Sequence, residues 1–368
     1  MSLLTKQLSM PSLGSIRVRK PSLRVSKPAR RPTTVTGLEI GATQAVVASA
    51  RLHGGQIVAD HVAARPLPPG LMRDGLVIDP DRLASELKRL FAEHKFSKRV
   101  RVGLATPRTV LRVIDLPPLE QKDIKTALMM QAQERIPMPL DRAVMDFQTV
   151  GLVDTPDGQR LRVIVVVTER EGVDQLLDTL RRAGLKPEGI DLSVFSVIRA
   201  LRHLERDEGP VLYAQLGDLV NIAIAESGLC RFTRQAPQGL AMVVGRLAEN
   251  RAIPVDEAHA LVQTGGADEL VSDGDVTVAD LLKRTAIELG SELRAAAEFY
   301  STQFASDAVT RGVVAGPLAP LPGFVEALSV ASGLELTCGE VIAAGDALGD
   351  VDGRIAPVAT GLAVGALN

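Results

Sequence analysis

Two stretches of this chain carry residue types at spacings that suit the binding of an anion. The first runs from Thr36 to Gln44 and contains Glu39, Gly41, Ala42, Thr43 and Gln44. The second is a looser copy from Leu212 to Asp218, with Gln215 and Gly217, followed by Asn221. In each, a β-type run ends in a polar or acidic residue, an apolar residue and a glycine, then turns back into another β-type run. Glycine at such a bend lets backbone N–H groups face an anion, because no Cβ blocks the approach. Taken alone, Gly41 and Gly217 read more readily as plain hairpin glycines. Their placement in two matched strand meanders is what raises the anion reading, and it predicts a duplicated domain with two hairpins facing one cleft. Glu288 and Glu292 share one helix face at i, i+4. A ribose contact and a solvated face are both open for them, as a cleft position and a surface ion pair are for Arg234.

Other chemistries find no pattern. His53, His61, His94, His203 and His259 show no metal-ligand spacing, and Cys230 and Cys338 are isolated. There is no Gly-x-x-x-x-Gly-Lys-Ser/Thr and no Gly-x-Ser-x-Gly. Asp273-x-Asp275-x-Thr277 opens like a calcium loop but has Val278 where a glycine is required. With no tryptophan and 3% aromatics, stacking platforms for single-stranded nucleic acid are missing.

Elements must hold the two hairpins in place. The 368 residues suffice for two domains. Eight cations and no acid precede Thr36, together with Pro11, Pro21, Pro28 and Pro32, so residues 1–34 read as a disordered basic tail. The tail lacks the apolar core of a secretory signal, and no run elsewhere approaches a membrane span. The expectation is a cytoplasmic protein with an acidic body that does not bind nucleic acid. Two readings of the tail stand: a plain leader, with Met10 as an alternative start, or attraction to anionic lipid. The second predicts salt-sensitive sedimentation with anionic vesicles, lost in a chain that begins at Thr33.

Three β-type runs cover Val35–Ile40, Ala45–Ala50 and Gln56–Ala64. Asp79-Pro80 opens a helix with apolar face Leu83, Leu87, Leu90 and Phe91, and Arg99 to Ala105 is a strand. A different module begins near Thr106: a strand to Leu116, a helix over Glu120–Arg135, then two strands paired across an Asp157-Gly158 turn. A helix over Glu171–Ala183 closes at Gly184, and a strand at Gly189–Asp191 and a helix from Ser193 to Leu204 follow. The second half repeats the theme. It has a meander over Val211–Arg234, helices at Gly239–Asn250 and Pro254–Val262, and a polar loop over Ala267–Val276. A long helix over Val278–Gln303, with Gly290 as a kink point, then leads to a strand at Gly312–Ala315 and helices at Gly323–Ser332 and Pro357–Ala366.

This order of elements resembles the actin-like nucleotide-binding superfamily. Within it the residues are similar to the PilM family of type IV pilus assembly proteins, relatives of the cell-division protein FtsA. Gly37-Leu38-Glu39-Ile40-Gly41 matches that family's opening phosphate hairpin. Leu116-Pro117-Pro118-Leu119, Glu134 through Leu140 and Asp146-Phe147-Gln148 match its inserted small subdomain. Ala183 to Pro187 with Ile190-Asp191 matches its return segment, and Thr360 to Ala363 its terminal helix.

The resemblance implies an α/β, actin-like (ribonuclease H-like) two-lobed fold with an FtsA-type inserted small subdomain. The implied divisions are subdomain IA over 35–106 and 187–208, inserted IC over 107–186, IIA over 209–250 and 311–368, and IIB over 251–310. It also implies an adaptor beneath the inner membrane that binds the cytoplasmic N-terminal tail of a PilN-like bitopic protein. The predicted partner groove comprises Leu116, Pro117, Ile136, Pro137 and Phe147. ATP with Mg2+ is the implied cleft ligand, with Glu39, Gly41, Ala42, Thr43, Gln44, Gln215, Gly217, Asn221, Glu288, Glu292 and Gly316 around it.

Three departures from the family pattern predict weak or absent ATP binding. Glu39 stands where Asp is usual. Gln215 replaces an acid that would hold hydrated magnesium. Pro317 removes a backbone donor in the adenosine stretch. The competing reading is an ATPase or small-molecule kinase of the same superfamily, which needs Glu39 or Asp191 as a working carboxylate. A filament former like FtsA is a third reading. It lacks support because the chain ends at Asn368 with no amphipathic membrane helix.

Overall fold

The computed structural model describes residues 35–135, 138–155, 158–205, 209–226, 228–266, 276–304 and 306–365. The basic segment 1–34, Ile136 and Pro137 of the predicted groove, Asp157 of the predicted turn and most of the predicted loop at 267–276 lie outside the described residues.

The first lobe opens with a meander of β1 (Thr36–Ile40), β2 (Gln44–His53) and β3 (Gln56–Pro66). β2 pairs antiparallel with both neighbours. A two-residue pair, β4 (Met72–Arg73) and β5 (Leu76–Val77), leads to α1 (Pro80–His94). The Asp79 carboxylate accepts the Arg82 N–H at 3.0 Å and Pro80 occupies the first turn, where its missing donor costs nothing. Leu83, Leu87, Leu90 and Phe91 form the buried face, as their spacing predicts. β6 (Arg99–Leu104) then runs parallel to β1.

The small module holds β7 (Val110–Leu116), α2 (Gln121–Arg135), β8 (Ala143–Thr155) and β9 (Gly158–Glu169). Its sheet has the order β7-β9-β8, and Ile114, Leu116, Ile124, Leu128, Val163 and Val165 fill its core. α3 (Arg170–Arg182) follows, stopped by Gly184 at φ +76°. Val173, Leu176 and Leu180 of α3 pack into the first lobe's core beside Leu87 and Leu90, so the expected module 107–186 ends in a helix that serves its neighbour. β10 (Lys186–Leu192) joins β6 in parallel and leads to α4 (Ser193–Leu201).

The second lobe repeats the plan. β11 (Val211–Leu216), β12 (Val220–Glu226) and β13 (Leu229–Ala236) form the second meander. α5 (Leu240–Arg251), α6 (Val255–Gln263) and α7 (Val278–Phe304) cover it. α7 runs unbroken through Gly290. A Cβ there would lie 2.5 Å from the Ala331 Cβ, so this glycine serves a close helix crossing. β14 (Arg311–Ala315), α8 (Phe324–Ser332) and β15 (Glu335–Cys338) complete the five-stranded sheet β13-β12-β11-β14-β15.

The chain then returns to the first lobe. β16 (Ile342–Ala343) pairs with β3 and closes the six-stranded sheet β10-β6-β1-β2-β3-β16. α9 (Pro357–Val364) lies against β1, β2 and α4. The expected closing segment 311–368 thus divides between the two lobes. Glycines make the α9 contact possible: a Cβ on Gly37 or Gly361 would meet the backbone oxygen of Ala359 or Ser196.

Candidate functional site

The two predicted hairpins face each other across the cleft between the lobes. In the first, the Gly41 N–H donates to the Gln44 carbonyl at 2.8 Å and closes the β1–β2 turn. In the second, the Leu240 N–H donates to the Gly217 carbonyl at 2.8 Å and ties the β11–β12 turn to the start of α5. Gly239 admits this approach, since a Cβ there would meet the carbonyl oxygens of Gly217 and Asp218.

The hairpins bond directly to each other. The Asp218 carboxylate accepts the Ala42 N–H through Oδ2 and the Thr43 hydroxyl through Oδ1 at 3.4 Å. Deeper in the cleft the Gln215 amide donates to the Glu39 carboxylate. A line of amides continues from there. Asn221 Nδ2 donates to Gln215 Oε1 at 2.9 Å, and Gln235 Nε2 donates to Asn221 Oδ1 at 2.6 Å. Strand register explains the line: Gln215 lies opposite Asn221, and Asn221 opposite Gln235, in successive antiparallel pairs. Gln235 Oε1, at the end, is buried without a partner among the described residues.

Burial, and next the charge of Asp218, push the Glu39 carboxyl up to about 8; the Gln215 donor opposes them. Burial also raises the Asp218 carboxyl, against the donors of Ala42 and Thr43. The remaining cleft space is about 60 Å3, bounded by Glu39, Gly41 to Gln44, Asp74, Ser193, Gln215, Asp218, Asn221 and Pro317. Small-molecule sites usually span several hundred Å3, a larger space than this one.

A larger cavity, about 300 Å3, opens where both lobes meet the small module. Its walls are Leu104 at the end of β6, Thr106 and Thr109 ahead of β7, Val110 to Arg112 of β7, Leu192 and Val194, and Asn221, Ile222 and Thr233 to Gln235 of the second lobe. The amide line therefore joins the two cavities, with Asn221 in the wall of both.

A sequence model of the family described as type IV pilus assembly protein PilM matches residues 37–343. The chain belongs to the PilM family. A solved PilM–PilN type IV pilus biogenesis complex contains a chain similar to it, with a TM-score of 0.76 and 25% identity over 90% of this chain and 98% of that one. The ethanolamine utilization protein EutJ from Carboxydothermus hydrogenoformans is similar in fold, with a TM-score of 0.55 and 15% identity over 90% of each chain. The reactivating factor of diol dehydratase, in nucleotide-free form, shares the fold at a TM-score of 0.50 and 9% identity over 89% of this chain and 98% of that one. The fold is actin-like, and the PilM family places this chain in type IV pilus assembly.

Within this PilM-family chain the cleft gathers Glu39, Gly41, Ala42, Thr43, Gln44, Gln215, Gly217 and Asn221. The remaining predicted nucleotide residues stand apart from its lining. Glu288 pairs with Arg246 of α5 at 3.0 Å, and Glu292 with Arg234 of β13 at 2.6 Å. Gly316, at φ +116°, is held by packing: a Cβ would lie 2.9 Å from the Leu216 backbone, and its neighbour Pro317 faces the cleft. Asp191 is bound in a mostly buried pair with Arg199 at 2.6 Å. In the predicted partner groove, Leu116 is fully buried in the module core, Phe147 is half-buried against that core and Pro117 is exposed. Among the described residues no cluster of three or more metal-ligating side chains occurs, and no helix is long and apolar enough to cross a membrane.

In the sequence Asp218 is only the residue that ends the second hairpin stretch. Its contact lies with a hairpin 176 residues away. Gln235 carried no signal of its own; only its register with Asn221 could have found it.

Proposed function

We propose that this PilM-family chain is an adaptor at the inner face of the cytoplasmic membrane. In this reading it holds the cytoplasmic tail of a PilN-type bitopic protein within a pilus assembly platform. The observation that carries it is the likeness, along nearly the whole of both chains, to the one from a PilM–PilN complex. The 300 Å3 cavity is the proposed docking place for one or two side chains of the tail. Its apolar walls from Leu104, Val110, Leu111, Leu192 and Ile222 supply burial. The unpartnered Gln235 oxygen suits a donor from the tail backbone. Leu116, being core, supports the module from within, and Pro117 and Phe147 form the outer edge of the same module.

Binding of Mg-ATP is weak or absent in this account. The cleft keeps about 60 Å3 of space, and the Asp218 carboxylate, held on the hairpin donors, repels phosphate. The division into subdomains IA, IC, IIA and IIB is part of the same reading. Thr233 of β13 offers the test, since it lines the larger cavity and is only partly buried. Thr233→Phe fills that space from an edge strand. The expected result is a loss of about tenfold or more in affinity for a synthetic PilN-type tail, with the melting temperature nearly unchanged. Full binding by a folded Thr233→Phe protein would move the docking place elsewhere.

A further inference from the structure

The structure assigns Asp218 the role of an internal ligand: its carboxylate fills the anion position of the β1–β2 hairpin, where a phosphate would otherwise sit, and joins the lobes without a nucleotide. The hairpin's donors are engaged: the Ala42 N–H with Oδ2, the Thr43 hydroxyl with Oδ1, and the Thr43 N–H with the same carboxylate. These are the groups a phosphate needs. Gly41 leaves room for the carboxylate, for a Cβ at that position would lie 2.7 Å from Asp218 Oδ2. The same absence of Cβ that would admit a phosphate here admits a side chain of the opposite lobe.

A second contact works in parallel. Gln215 offers Glu39 a neutral amide, so the two lobes meet at this depth through a hydrogen bond instead of through two repelling acids. Together the contacts replace the bridge that a bound polyphosphate and its cation would form between the hairpins. The cleft is closed by chemistry encoded in the chain, and the docking cavity beside it keeps its shape whether or not ATP is present. This inference rests on the reading of the cleft as closed to ATP and supplies its cause.

The ligand class excluded by Asp218 is a polyphosphate, either free or carried by a nucleoside. Asp218→Ser removes the charge and shortens the side chain. Calorimetric titration of the native protein and this variant with Mg-ATP, and separately with tripolyphosphate, distinguishes the two sources. The expected result is no saturable binding by the native protein and a gain of about tenfold or more by the variant. A gain for tripolyphosphate alone also supports the assignment and narrows the class to the anion itself. A folded variant that binds neither ligand better than the native protein overturns it.

Native-state hydrogen exchange needs no variant. The Ala42 amide should be protected in ligand-free native protein, and Mg-ATP should leave that protection unchanged. Free exchange at Ala42, or protection that appears only with Mg-ATP, overturns the assignment. Titration of the PilN-type tail into the same native sample separates the two claims: loss of tail binding counts against the adaptor function and leaves the Asp218 contact standing.

Discussion

At the scale of single residues, Glu39 makes stability depend on pH in a direction opposite to the usual acid. A carboxyl raised from 4.5 to about 8 binds its proton more tightly in the folded chain than in the unfolded one. Its contribution is complete below about 4.5 and is lost as pH rises toward 8. Asp218, raised in the same direction, adds to the slope. The native protein should therefore lose on the order of 4 kcal/mol between about pH 5 and about pH 9 from this site. Glu39→Gln removes the titrating group and should flatten the profile. Denaturant midpoints at both pH values check this, and equal slopes for the two proteins would remove Glu39 as the cause. The cleft itself was largely legible: Glu39, Gly41 and Gly217 are set by local hairpin chemistry. The Asp218 contact was not, since it needs two hairpins from opposite lobes to touch.

Elements were legible where periodicity and caps agree. α1 announced itself through Asp79, Pro80 and a four-residue apolar face, all of which the structure uses. β15 and β16 were missed: four and two residues are too short for an alternating pattern to register. Small residues misled in another way. Gly290 suggests a kink by composition, yet it sits where α7 crosses α8 at close range. Likewise Gly361 lets α9 rest on the backbone of α4 at Ser196. Gly290→Leu and Gly361→Val should each destabilise the fold by about 3 kcal/mol or more, because backbone and not a flexible side chain meets the added atoms. A loss below about 1 kcal/mol in chemical denaturation would show that these helices can separate without cost. Asp79→Ala, which removes only the cap, should cost about 1 kcal/mol by the same measurement.

At the scale of the whole molecule, duplication supplies two hairpins, and the inserted module adds a third wall beside them. Asp218 and Gln215 reach from the second lobe to the first hairpin, and a cavity of about 300 Å3 lies beside them. On the proposed reading the lobes are held by their own side chains, and the junction with the module takes the protein tail. The two-lobed plan was visible from the order of elements. The return of β16 and α9 to the first lobe was not, because no local pattern tells a strand or helix which sheet it will join.

The most direct measurement is titration of a synthetic PilN-type cytoplasmic tail into the native full-length chain, with and without millimolar Mg-ATP, alongside an assay of phosphate release. An adaptor closed by its own residues binds the tail with affinities that agree within about twofold in the two conditions, and it releases no phosphate. Tail binding that requires Mg-ATP, or a tail that does not bind at all, would contradict the account.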